Sequence, residues 1–100
     1  MIVIFSQHAQ DLLDEQLGII ASALCPEDAA KWFMKLEDRL SILETFPEAG
    51  RLSRFPDLAQ NGIHTLAYGK FVAYYKILEE TCLIVSIRRA AMDVQTLSAL

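Results

Sequence analysis

The sequence predicts one α+β domain spanning residues 1–100, in which a short N-terminal strand and an α-helical hairpin pack on a small antiparallel β-sheet. Three observations predict it. Apolar residues recur at three-and-four spacing through the first half, the period changes to two after Gly62, and 100 residues supply one core with little left for a second.

Ile2 to Phe5 is an apolar run with β-branched residues and reads as a strand ending at Ser6, whose hydroxyl suits the cap of a following helix. Ala9, Leu12, Leu13, Leu17, Ile20 and Leu24 keep the spacing of one helix face. Cys25-Pro26 interrupts it, because proline disfavours helical geometry in the residue before it yet suits the first position of a new helix. Glu27 and Asp28 then favour the dipole of helix two, and Ala29, Phe33, Leu36, Leu40 and Leu43 form its stripe. The two stripes are expected to meet as an antiparallel hairpin. Trp32, Met34 and Ile42 fall off the stripe and widen the apolar surface.

The helix is expected to end before Phe46, and residues 52–61 read as an irregular connection. Strands follow at Ile63 to Tyr68, Phe71 to Leu78 and Thr81 to Arg88, with turns at Gly69-Lys70 and Glu79-Glu80. Two-residue turns join only antiparallel neighbours. Alternation sends Tyr74 and Tyr75 to opposite faces, and likewise Arg88 and Arg89. Ala90 to Leu100 is expected to form a frayed helix or an arm.

Composition excludes several classes. At 53% hydrophobic and 22% charged, the chain is too apolar for disorder. It lacks both a run of roughly 18 apolar residues and a secretory leader, so a cytoplasmic protein without membrane contact is expected. Cys25 and Cys82 stand outside any zinc-type spacing and read as free thiols, implying no metal and no cofactor. A net charge of −4 argues against general affinity for nucleic acid, so no direct binding to DNA by this chain alone is expected. The charge is uneven: residues 1–50 hold three basic and nine acidic side chains, residues 51–100 six and four, so the halves can face different partners.

Certain segments recur in a known order. Ala9-Gln10-Asp11-Leu12 opens helix one; Pro26, Ala29, Ala30 and Phe33 space the start of helix two; Pro47-Glu48-Ala49-Gly50-Arg51 leads to the sheet. Gly62 to Lys76, with its central Tyr-Gly-Lys and Tyr-Tyr-Lys, and Ile87-Arg88-Arg89-Ala90-Ala91-Met92-Asp93 follow. Across nearly the whole chain this resembles the RelE/ParE superfamily of bacterial toxins from type II toxin-antitoxin pairs. His64 stands where that family usually has arginine, Arg89 where histidine is common, and Ala91 where a second arginine is common.

The resemblance implies one of two activities. RelE-like members are ribosome-dependent mRNA endoribonucleases, and metal-free cleavage of RNA needs a base, an acid and cations around the phosphorane. The candidates for those roles are His64, Tyr75, Arg51, Arg88 and Arg89. ParE-like members bind and inhibit DNA gyrase, which needs no catalytic set, and the acidic balance favours this reading over a ribosomal nuclease. The expected protein is therefore a ParE-like plasmid-stabilisation toxin, not an enzyme, with a target surface drawn from Arg51, Arg54, His64, Lys70, Arg88, Arg89 and Asp93. A small ParD-like antitoxin is expected to neutralise it through Trp32, Met34 and Ile42, or through the groove of the helical hairpin. A non-toxic binding module of the same fold is the remaining alternative.

Overall fold

The computed structural model describes residues 1–89, so the expectations for the tail and for Asp93 lie outside the described residues. Strand β1 (Ile2–Phe5) leads into α1 (Gln7–Ala23), which is capped by the Ser6 hydroxyl accepting the Ala9 N–H at 3.1 Å. Helix α2 (Pro26–Leu40) begins with Pro26 in its first turn and Glu27 and Asp28 beside its positive end, and it packs against α1 as a hairpin.

Helix two was expected to run on toward Phe46. Instead it stops at Leu40, and after Ser41 the chain makes one further turn, α3 (Ile42–Thr45). The Ser41 hydroxyl donates to the Asp38 carbonyl at 2.6 Å, a local bond of the kind that competes with the helical ladder.

The stretch expected to be irregular holds two short elements, β2 (Arg51–Leu52) and α4 (Pro56–Gln60). The second carried its own signals: proline at the first position, Asp57 in the first turn and Gly62, at φ +73°, just beyond the end. Strands β3 (Ile63–Tyr68), β4 (Phe71–Leu78) and β5 (Thr81–Arg89) form the expected meander, turning at Gly69, φ +55°, and at Glu79, φ +35°.

The sheet has five strands in the order β1-β5-β4-β3-β2, and it is mixed where an antiparallel sheet was expected. β1 lies parallel to β5, with Ile2 opposite Thr81 and Phe5 opposite Ile84. Parallel pairing requires a long connection between the strands, and here the whole helical hairpin and the meander provide it. β1 thereby becomes an edge, placing Val3 and Phe5 against the core and leaving Ile2 and Ile4 exposed.

One sheet face carries the helices. Ala9 and Leu13 of α1, Leu36 and Leu40 of α2, and Leu43 of α3 close over Leu66, Ala73, Tyr75, Cys82, Ile84 and Ile87. Tyr75 is wholly buried among them.

Candidate functional site

Cross-strand partners share a face, so the register sorts the candidate residues. Leu52, His64, Tyr75 and Ile84 form one row on the helix side. Arg51, Thr65, Tyr74 and Ser86 form the adjacent row on the outer face. Between Tyr74 and Tyr75 the β4–β5 ladder slips by one residue, leaving Val85 as a bulge. Strict alternation from Cys82 and Ile84 would turn Arg88 toward the helices. The bulge reverses this, so Ile87 and Arg89 face the helices and Arg88 faces outward.

Three cations therefore share the outer face: Arg51 at its β2 edge, Lys76 between Ile63 and Leu83, and Arg88 opposite Val72. Arg51 and Arg88 are exposed and Lys76 is half-buried, and Arg88 Nε donates to Ser86 Oγ at 3.3 Å. Tyr74, only 8% exposed, stands in the Arg51 row between the two arginines. Arg54 is exposed in the bend after Ser53, whose N–H ties that bend to the Ile63 carbonyl at 2.8 Å.

His64 and Tyr75 face the other way. Their rings stack at 5.3 Å and 29°, and His64 Nδ1 lies 3.1 Å from the Gly62 carbonyl. The Tyr75 hydroxyl donates to the Pro47 carbonyl at 2.7 Å and accepts the Gly50 N–H at 3.0 Å. Burial pushes its pKa above the ordinary phenol value, and the Gly50 N–H opposes this only in part. Both hydrogen-bonding capacities of that hydroxyl thus hold the loop that delivers Arg51.

The remaining candidates occupy a third region. Arg89 lies 5.8 Å from the centre of the Phe71 ring, and Phe71 meets Trp32 edge to face at 5.2 Å. Trp32 also meets Tyr68 at 5.6 Å, while the Tyr68 hydroxyl donates to the Trp32 carbonyl at 2.9 Å. Lys70 is exposed in the adjoining turn. Trp32 is consequently turned to the sheet, whereas Met34, two residues or about 200° further round the helix, is exposed. Ile42 packs against the core from α3. Trp32, Met34 and Ile42 do not make one surface.

The groove of the helical hairpin, the second place expected for an antitoxin, lies between α1, α2 and the β1 edge. Val3, Phe5, Leu13, Phe33 and Leu40 line an open space of ≈ 360 Å³, and Gln10, Glu37, Ser41 and Glu44 supply its polar atoms. Leu13, Phe33 and Leu40 each belong to a predicted stripe, but only the gap left between the packed helices turns them into a groove. Among the described residues no group of three or more His, Cys, Asp or Glu side chains is placed to hold a metal ion. No described helix is long and apolar enough to cross a membrane.

Comparison with known proteins decides the family. The family model described as "ParE toxin of type II toxin-antitoxin system, parDE" matches residues 3–94. The chain belongs to the ParE toxin family. No curated protein matches it closely enough to report. Among solved structures it is similar to the one titled "Chromosomal ParDE TA system from P. aeruginosa", with a TM-score of 0.74 and 24% identity, covering 89% of this chain and 95% of that one. The α+β architecture expected from the sequence is thus the ParE fold, and the function is that of a type II toxin.

Proposed function

We propose that this ParE-family toxin acts in the cytoplasm by binding and inhibiting DNA gyrase through the outer sheet face that carries Arg51 and Arg88, without catalysing a reaction. The observation that carries this reading is a separation. The titratable candidates His64 and Tyr75 lie on the helix side, with the Tyr75 hydroxyl held on both sides by Pro47 and Gly50. The two arginines lie on the opposite face. General acid-base cleavage needs such groups to converge within hydrogen-bond reach of one phosphate, whereas a docking surface does not.

The cognate ParD-like antitoxin fits the groove between the helices. Its apolar floor suits one side of an amphipathic helix, and Glu37 and Glu44 at its rim favour a segment bearing lysine or arginine. Of the two expected places, the groove is favoured over Trp32, Met34 and Ile42 because those three do not share one surface.

The test is inhibition of gyrase supercoiling by the purified toxin, relieved by its antitoxin, while mRNA on translating ribosomes remains intact. Codon-linked mRNA cleavage with unaffected gyrase would overturn the reading in favour of a ribosome-dependent nuclease. Undiminished growth of bacteria expressing the toxin alone would replace it with a non-toxic binding module.

A further inference from the structure

Charge counting assigns α2 to the acidic half of the molecule, yet the three basic residues of that half all lie on this one helix. Lys31, Lys35 and Arg39 are spaced by four residues, so they align along one side of it at steps of about 6 Å. The fold fixes which way that side points. Arg39 Nε donates to the Ala67 carbonyl at 2.9 Å, so the row runs beside β3 where the two-residue β2 no longer covers it. Glu37 belongs to the other flank and lines the groove.

Beside this row lies the ring cluster of Trp32, Tyr68 and Phe71, all half-buried, with Arg89 over Phe71 and Lys70 in the turn between Tyr68 and Phe71. Three carboxylates border the row on α2: Glu27, one step before Lys31 in the first turn, Asp28, which is turned to the Cys25 thiol at 3.0 Å, and Asp38. Among the described residues Lys31, Lys35 and Lys70 are not held in ion pairs. Five cations thus lie along one helix and one hairpin end, flanking aromatic rings, in a protein whose overall charge is negative.

We infer that this stripe binds a single-stranded nucleic-acid segment, with phosphates along Lys31, Lys35, Arg39, Lys70 and Arg89 and bases against the exposed parts of the Trp32 cluster. Evenly spaced cations follow a phosphate backbone, and aromatic rings beside them accept the faces of unpaired bases without regard to sequence. The carboxylates of an acidic protein segment would satisfy the cations but gain nothing from the electron-rich ring faces, on which unpaired bases stack. The surface is separate from the antitoxin groove on the other flank of α2 and from the outer sheet face, so the inference does not depend on the gyrase reading.

Trp32 is the single tryptophan of the chain, so its emission reports on this site. The experiment titrates the full-length toxin with a fluorescein-labelled single-stranded oligonucleotide of about 20 nucleotides, at low and at physiological salt, following label anisotropy and Trp32 emission together. Binding in the range of about 10⁻⁴ to 10⁻⁶ M is expected, with a log–log salt slope of about −3 for four to five phosphate contacts and a concurrent change in Trp32 emission. The triple variant K31E/K35E/K70E, altered only at exposed positions, is expected to lose at least tenfold in affinity and to flatten the slope, while K31R/K35R/K70R retains both. Unchanged thermal midpoints confirm that each variant is folded. Failure to bind at low salt, equal binding by the charge-reversed variant, or binding without a change in Trp32 emission overturns the inference. An equally tight complex with a polyglutamate peptide overturns it too, and assigns the stripe to an acidic protein segment.

Discussion

The backbone N–H of Gly50 donates to the phenol oxygen of Tyr75 over 3.0 Å, joining the loop before β2 to the centre of the sheet. The same hydroxyl donates to Pro47 at 2.7 Å, so one buried side chain closes the loop from both ends. Tyr75→Phe keeps the ring and removes both bonds, leaving a buried N–H without its partner. The expected cost is about 1–3 kcal/mol, read as a fall in thermal midpoint of roughly 4–8 °C per kcal/mol. A midpoint equal to that of the parent protein would show that the loop closes by other means.

Gly50 is also set by space. A Cβ there would meet the Thr65 carbonyl oxygen and stand 2.7 Å from the Tyr75 hydroxyl oxygen, both in the middle of the sheet. Gly50→Ala is expected to cost about 1–3 kcal/mol or to prevent folding, because neither backbone nor a buried ring yields easily. Denaturant unfolding compares it with Gly18→Ala, where an added methyl meets nothing within 4 Å and falls on a helix that gains from alanine.

Burial raises the pKa of the Cys82 thiol above its ordinary 9.0 and of the Tyr75 phenol above its ordinary 10.0. Each group ionises first in the unfolded chain, so its contribution to stability is complete below the ordinary value and is lost as pH rises through the folded one. Urea midpoints measured between pH 7 and 11 are expected to hold level up to about 9 and then fall. Cys82→Ala is expected to remove the earlier part of the decline.

Ser6 caps α1 through the Ala9 N–H, at the junction where β1 hands the chain to the helices. Ser6→Ala is expected to destabilise by about 1 kcal/mol, whereas Ser6→Asp keeps an acceptor beside the helix N-terminus and costs less. Circular dichroism melts order the three proteins.

Toxicity tests the division of the arginines. Arg51→Ala and Arg88→Ala, on the outer face, are each expected to weaken gyrase inhibition about tenfold, equivalent to 1.4 kcal/mol. Arg89→Ala, on the helix side, leaves inhibition within a factor of about two on the same scale. The supercoiling assay reads all three, and the reverse order would move the target surface to the helix side.

The elements with local causes were legible in the sequence. Ser6 before a three-and-four stripe, Pro26 opening a helix, and the turns at Gly69-Lys70 and Glu79-Glu80 each depend on residues within a few positions, and the structure has them where local chemistry puts them. α4 has local signals too in Pro56, Asp57 and Gly62, although residues 52–61 read as an irregular connection. The ParE-type order of segments was legible for the same reason, since it is a property of the chain read end to end.

Faces and neighbours were decided only by the tertiary structure. That β1 pairs with β5 across nearly 80 residues is a long-range choice carrying no local mark. Alternation predicted that Arg88 and Arg89 part company, but which of them turns outward was fixed by a single extra residue at Val85. The acidic half and the basic half seen in the composition are not two surfaces. α2 is divided lengthwise, with Glu37 toward the groove and Arg39 bonded to β3, because side chains three and four apart share a helix face whatever the charge of the segment as a whole.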